Sequence, residues 1–588
     1  MSTVALVAAA GAVVARTQFT SVSRTTSSQE HQRPSGSDTG NVVHGEVGPG
    51  GPTAAWVKAE NAKPGTSAWR LSNTAHRGEI EGYADHVSAA AGDTVSLFVS
   101  TVAPSFHVEA YRMGYYQGLG GRLVWTSADV TGIRQARPSV TYGTNMVEAH
   151  WAPSLTVRID GSWPPGDYLF KLVAATGQQY YTPLTVRDDA SRAVYLIQNS
   201  VTTWQAYNLW GGYDLYEGLE AGGSGYTNRA RVVSFDRPYT IGDGSGDFLG
   251  SEYPLVTLAE SLGLDVTYTT SVDVDQQPSS LLRHRVFVSL GHDEYWSLTM
   301  RQAAVAARDI GVNFVFLAAN AVYRHIRLTP SPLGADRHEI DYKSAHEDPL
   351  LGKDNADVTV DWRDPPNSWP EESLIGDYYQ CNPVKSDLVV SDASSWVYAG
   401  TGLSNGDRLT DVVGSEYDRY VPGIPGAPAN VDVVGHSPVR CHGKSDFSDM
   451  TYYSAASGAG VFATGTTGWI AHLDPNCGGP KCAGVALTKI TQNVLAAFGQ
   501  GPAGRQHLSI PNLLQLHSYP SPFGTSTVPR YSTVTRPRTT TGSGTTSTTT
   551  ATSTTGARSS TSTSTPSTTT PHGTSSTEAT TTTAPAKH

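Results

Sequence analysis

The sequence predicts a multidomain β plus α/β protein: an N-terminal β-sandwich, then a flavodoxin/glutamine-amidotransferase-like doubly wound sheet, then a disordered tail. Three observations predict it. Between 56 and 187, short alternating runs are separated by Gly-rich turns, the pattern of a sandwich. From 193 onward, short β-branched runs alternate with helix-length stretches, the pattern of βαβ units. After 531 the chain is mostly Thr and Ser with Pro and cannot bury a core.

Taken in order, residues 3–15 (TVALVAAAGAVVA) form an apolar run of signal-peptide length without a basic start, so 1–20 is assigned as a signal segment and 21–50 as a polar linker. The sandwich is placed at 51–190. Its strands are read at 93–100, 107–111, 154–158, 168–172 and 181–186, with turns at Gly114 and from Gly118 to Gly121. The α/β domain is placed at 191–505, with buried-type strands at 193–197, 265–269, 286–290, 313–318 and 461–464. Pro254 opens a helix that ends near Gly263. Ser297 caps a helix through Met300, Ala304 and Ala307, and Gly311 stops it. Leu487, Ile490, Val494 and Phe498 mark one face of a last helix. Residues 330–460, rich in Pro, Asp and Gly, are expected to form long loops over the carboxyl edge of the sheet. Residues 506–530 read as a linker, and 531–588 as a mucin-like stalk.

Charge narrows the function classes. A net charge of -11 with no Lys/Arg-rich block argues against nucleic acid as a partner. No later run is apolar enough to span a membrane. Cys381, Cys441, Cys477 and Cys482 give an even count in a chain read as exported, so two disulfides are expected, with Cys477 and Cys482 closing a small loop. A zinc site is the rival, but no Cys-x-x-Cys pair or His spacing supports it.

The chain is organised around 285–328, RVFVSLGHDEYWSLTMRQAAVAARDIGVNFVFLAANAVYRHIRL. Strand, helix and strand here make one βαβ unit, so the two strands are expected to be parallel and buried on both faces. His292, Asp293 and Glu294 then follow the carboxyl end of one strand, and Asn320 follows the next. That edge is where ligands bind in open α/β sheets. A lone loop histidine is usually just a hydrogen-bonding group, and Asp-Glu is usually solvated surface. Position distinguishes this set. Glu294 offers an anionic oxygen to a hard cation, His292 a general acid/base, and Asn320 a donor to a developing oxyanion. Tyr207 and Tyr213 lie on the loop over the same edge, Tyr168 sits where the sandwich could touch the sheet, and Glu416 lies in the long irregular region. For each tyrosine, packing is the bland alternative.

The strings TWQAYNLWGG, SLGHDEYWS, FLAANAVYRHIRL, VVGSEYDR and GVFATGTTGWIAHLD, in that order, resemble the large (β) subunit of N,N-dimethylformamidase and its exported actinobacterial relatives. The likeness covers roughly 193–499, and AYRMGYY at 110–116 resembles the preceding domain. The resemblance implies a mononuclear iron held by two tyrosines and a glutamate, beside a histidine, an asparagine and a second glutamate. Carried over, Glu294 is the glutamate ligand, His292 the histidine, Asn320 the asparagine and Glu416 the second glutamate. Tyr207 and Tyr168 match the tyrosine ligands, with Tyr213 in reserve. Two phenolates and a carboxylate suit a ferric ion better than zinc.

The expected function is therefore exported, iron-dependent hydrolysis of a C–N bond in a small amide, with His292 as general acid/base. The long tail, the export signal and the lack of any small-subunit-like segment set this chain apart from the amidase, so the substrate is not fixed. A homo-oligomer and cell-wall association are further expectations. The alternative is a catalytically inactive envelope protein that binds glycans or other ligands through its many Trp and Tyr residues. A Cys-His amidotransferase is disfavoured because no Cys precedes Cys381. A two-carboxylate glycosidase is disfavoured because adjacent Asp293 and Glu294 cannot flank a bond.

Overall fold

The alternating runs of the N-terminal half do become strands. The computed structural model describes residues 46–220, 223–474 and 483–516, and the chain so described is β-rich, with several sheets and few helices. These residues all fall in one of the chain's two units, Met1–Pro520; the other, Ser521–His588, is wholly outside them. The predicted signal segment, the Cys477–Cys482 pair and the Thr/Ser tail also lie outside the described residues.

Thr94–Thr101 pairs antiparallel with Leu155–Arg158 and Ile80–Ala84. Ser105–Met113, Gly121–Thr126, Gly166–Ala174 and Gln179–Arg187 form a second sheet. Val95, Leu97 and Val99 from the first sheet share one core with Val108, Phe170 and Leu184 from the second. Residues of one parity point inward, which is why the period-2 reading located these strands.

The main sheet has seven strands. Val266–Thr270, Tyr195–Asn199, Val286–Ser289, Asn313–Phe316 and Gly460–Ala463 run parallel in that spatial order, and the antiparallel strands Lys444–Ser454 and Val431–Cys441 extend it. In sequence order the parallel part is 2-1-3-4-5. Both faces are covered. Leu196, Phe287, Phe314 and Phe316 pack with Met300, Ala304 and Ala307 of the helix Leu298–Asp309. Ile197, Val288 and Val315 pack with Leu487, Ile490, Val494 and Phe498 of Ala483–Gly499. Ser297 caps the first of these helices by accepting from the Met300 N–H.

Residues 330–460 correct the sequence reading. They hold long strands: Gly334–Ile340, Tyr378–Val389, Arg408–Arg419, Val431–Cys441 and Lys444–Ser454. Register shifts interrupt the pairing of Tyr378–Val389 with Arg408–Arg419, so the alternation slips. In Lys444–Ser454, Asp449 occupies a buried position and is held there by His436, 2.6 Å away. Buried acids and bulges hid the period.

Cys381 and Cys441 form a disulfide across 60 residues, joining two of these strands. Loop closure of this size predicts a loss of about 2–4 kcal/mol when both are changed to serine. The shift in denaturant midpoint under non-reducing conditions measures it; an unchanged midpoint contradicts it. Among the described residues no helix is long and apolar enough to cross a membrane.

Candidate metal and hydrolytic site

The parallel order reverses between strands 1 and 3, and in open α/β sheets ligands bind in the crevice beyond the carboxyl ends at that point. The chain leaves Val286–Ser289 through Gly291 at φ +58, where a Cβ would lie 3.1 Å from the Ser251 Cβ and 3.2 Å from its carbonyl oxygen. A side chain there would be strained and crowded, which favours glycine. Asp293 then points inward and accepts from Ser289 Oγ at 2.7 Å and Gln198 Nε2 at 2.8 Å. Burial pushes its carboxyl up to about 6. Asp293 therefore anchors the loop, while Glu294 and His292 face the crevice.

Two phenols converge on Glu294. Tyr207, at the end of the short helix Val201–Ala206, donates to Glu294 Oε2 at 2.7 Å. Tyr216 lies 2.9 Å from Oε1 and 3.1 Å from Oε2, and the two hydroxyls are 2.9 Å apart. Their rings stack at 4.6 Å. Burial first, and the Glu294 charge after it, raise both phenols well above their usual range. Arg324 Nε supports Glu294 from 3.3 Å. Tyr295 donates to the Tyr216 oxygen at 2.8 Å, and Lys343 to the Tyr295 oxygen at 2.5 Å.

His292 completes the crevice wall. Its Nε2 is 3.3 Å from Glu416 Oε2 and 3.5 Å from Glu294 Oε2. Burial lowers the imidazole, but Glu416 and then Glu294 outweigh it and raise it to about 9. Glu416 also accepts from Asn382 Nδ2 at 2.8 Å. Burial would raise Glu416, yet His292, Asn382 and Asn320 together hold it below the usual carboxylate range. Asn320, at φ +56, donates its N–H to Asp418 at 2.8 and 3.0 Å, so its side-chain Oδ1 is left without a protein partner. Asparagine tolerates that left-handed conformation.

Of the predicted residues, His292, Glu294, Tyr207, Asn320 and Glu416 are thus brought together. Tyr168 is not among them. It points into the core shared by the two N-terminal sheets, against Trp163, and its hydroxyl donates to the Pro164 carbonyl at 2.7 Å. Its strand parity turns it inward, away from the sheet edge. Tyr213 packs against both the Tyr83–Trp151 cluster and the cluster around Tyr295, and its hydroxyl makes no hydrogen bond to Glu294. The second phenol is Tyr216, which sequence reasoning missed along with Tyr295, Arg324, Lys343, Asn382 and Asp418. The one available signal was that Tyr216 shares a loop with Tyr207.

The donor set fits a hard cation. Two phenol oxygens and both oxygens of one carboxylate face one another, beside the His292–Glu416 pair and the unpartnered Asn320 Oδ1. Among the described residues, two other groups, of His, Cys, Asp or Glu, have ligand atoms close enough for an ion. Cys381, Cys441 and His442 are one, but its sulfurs are bonded to each other. Glu148, Asp236 and His338 are the other, with Asp236 already held by Arg337 at 2.7 Å.

The family model for the C-terminal part of N,N-dimethylformamidase beta subunit-like proteins matches residues 107–482, more than half of the chain. The chain belongs to that family. The matched span contains every residue of the crevice named above. No curated protein matches the chain. Solved structures similar to parts of it include an uncharacterized protein from Bacillus anthracis str. Ames, at 11% identity over 20% of this chain and 98% of that one, TM-score 0.12. A structure of the bacterial superantigen toxic shock syndrome toxin-1 is 17% identical over 18% of this chain and 97% of that one, TM-score 0.12. A Paenibacillus cycloisomaltooligosaccharide glucanotransferase is 11% identical over 36% of this chain and 20% of that one, TM-score 0.13. At these scores the likeness carries no argument about this dimethylformamidase-like chain.

Asp418, behind Asn320, makes a test of the site's electrostatics. Burial pushes its carboxyl up to about 8, only partly offset by the Asn320 N–H. The folded form thus keeps a proton that the unfolded form loses above about 4. That stability is fully present at low pH and is lost as pH rises towards 8. The Asp418→Asn variant lacks the loss, so its denaturation midpoint relative to wild type rises between pH 4 and 8. A pH-independent difference would contradict this.

Proposed function

We propose that this chain is an exported, iron-dependent amidohydrolase that cleaves the C–N bond of a small amide. The observation that carries the reading is the convergence of Tyr207 and Tyr216 on Glu294, within 2.7–3.1 Å, beside His292. Tyr207, Tyr216 and Glu294 would hold the ion, and Tyr216 replaces Tyr168 in the ligand set. Hard anionic oxygens favour a trivalent iron, which supplies Lewis-acid polarisation of the amide carbonyl and lowers the pKa of water.

The chain's own groups do the rest. Asn320 offers its unpartnered Oδ1, an acceptor, to orient the attacking water. His292, held charged by Glu416, gives a proton to the departing nitrogen as the C–N bond breaks. Water adds its oxygen to the carbonyl carbon, and its proton restores the imidazolium, so the products are the acid and the amine. Asp293 does not react; it fixes the loop that carries both neighbours. The strand order 2-1-3-4-5 favours a flavodoxin-like sheet behind a sandwich, and the Cys381–Cys441 disulfide favours an oxidising compartment. Cell-wall association and a homo-oligomer belong to the same reading.

Purified full-length protein is expected to carry about one iron per chain, to show a tyrosinate-to-iron charge-transfer colour, and to release amine from small N-alkylformamides. A colourless protein that cannot be loaded with metal and releases no amine overturns the proposal.

A further inference from the structure

Away from the crevice, a narrow cavity of about 30 Å³ lies between the N-terminal sheets and the main α/β sheet. Its walls include Arg237, Arg337 and Thr182, and none of the described residues lining it is acidic. Arg237 is fully buried. Its Nη1 donates to the Trp210 and Tyr213 carbonyls at 3.0 and 2.9 Å, but its Nε and Nη2 have no partner. The buried Thr182 Oγ1 has none either. No carboxylate of the described residues forms an ion pair with Arg237. Arg337 spends its Nε on Asp236 and its Nη2 on the Ala84 and Phe235 carbonyls. His86, also in the wall, is tied to Asp85 at 2.6 Å.

We propose that this cavity binds a monovalent inorganic anion of halide size. Unpaired buried cationic donors are costly, and a guanidinium needs both hydrogen bonds and an opposing charge. A water molecule would satisfy the first need and leave the second to Asp214 and Glu339, neither of which pairs with Arg237 directly. The cavity has room for at least one water-sized or halide-sized guest. Burial drags the Arg237 guanidinium down to about 10, and Asp214, Tyr239 and Glu339 offset that only in part. Three donor atoms without a carboxylate among them select for negative charge. The anion ties Thr182, on the strand Gln179–Arg187, to Arg237. Arg237 in turn clamps the two carbonyls of the loop that carries Tyr207 and Tyr216. This inference does not depend on the metal reading.

The test compares thermal denaturation of the full chain in sodium chloride, sodium bromide and sodium gluconate at equal ionic strength, with crystals grown in bromide. A saturable rise in midpoint with either halide is expected, together with a bromide anomalous peak beside Arg237. Thr182→Val raises the half-saturating concentration about two- to tenfold, the value of one hydrogen bond. Arg237→Met removes the saturable part. If that variant does not fold, the Thr182→Val titration and the bromide peak decide. Identical curves in halide and gluconate, or water alone in the cavity, overturn the proposal.

Discussion

Glu294→Gln is expected to bring the iron content from about one per chain to near zero and to lower amide hydrolysis by more than about 100-fold. The reasoning starts from the neighbours. Among the described residues Glu294 is the only carboxylate that both Tyr207 and Tyr216 reach, and it is 1% exposed. Without its charge, two buried phenols whose protons are already held tightly have nothing to balance a cation. Partners outside a ligand sphere are commonly worth about 10–100-fold in metal affinity or activity, so a ligand should exceed that. Tyr216→Phe should behave alike. Tyr168→Phe is the control: it loses one hydrogen bond to the Pro164 carbonyl, about 1 kcal/mol, and keeps metal and activity. Metal analysis and the visible spectrum of the three variants decide. A Glu294→Gln protein that keeps its iron, or a Tyr168→Phe protein that loses it, sinks the ligand assignment.

What was legible in the sequence follows from what each signal measures. The parallel strands were readable because both faces are apolar, so Val286–Ser289 and Asn313–Phe316 stand out as unbroken runs. His292 and Glu294 were readable because topology alone puts the residues after such a strand at the ligand edge. Asn320 followed by the same rule. Tyr216 carried no such signal: it sits on an irregular loop, and only the fold brings its ring onto Tyr207. Tyr168 was misplaced because alternation gives a strand two faces without saying which one meets the neighbouring domain. Glu416 was found through resemblance while its strand, Arg408–Arg419, was not, because register shifts there broke the period. Lys343 and Arg324 were invisible because a buried cation at an acidic site looks like any surface cation in sequence.

His292→Gln should separate chemistry from metal retention. The imidazole touches Glu294 Oε2 only at 3.5 Å, while Glu416 approaches at 3.3 Å, which suits a proton donor and not a ligand. Its loss should leave iron content and colour unchanged and lower turnover about 10²–10⁴-fold, the usual span for a general acid. The size of the loss should depend on the leaving amine. A dialkylamine departs as a strong base and needs its proton early, so dimethylformamide-type substrates should show the large loss. An anilide departs more readily and should show a smaller one. Glu416→Gln should lie between wild type and His292→Gln for the dialkylamide, since it weakens the hold on the imidazolium without removing the ring. Equal losses for both amides would mean that His292 positions substrate instead of delivering a proton. A variant that also loses its iron would place His292 among the ligands, and the division of roles within the crevice would have to be redrawn around Tyr207, Tyr216 and that ring.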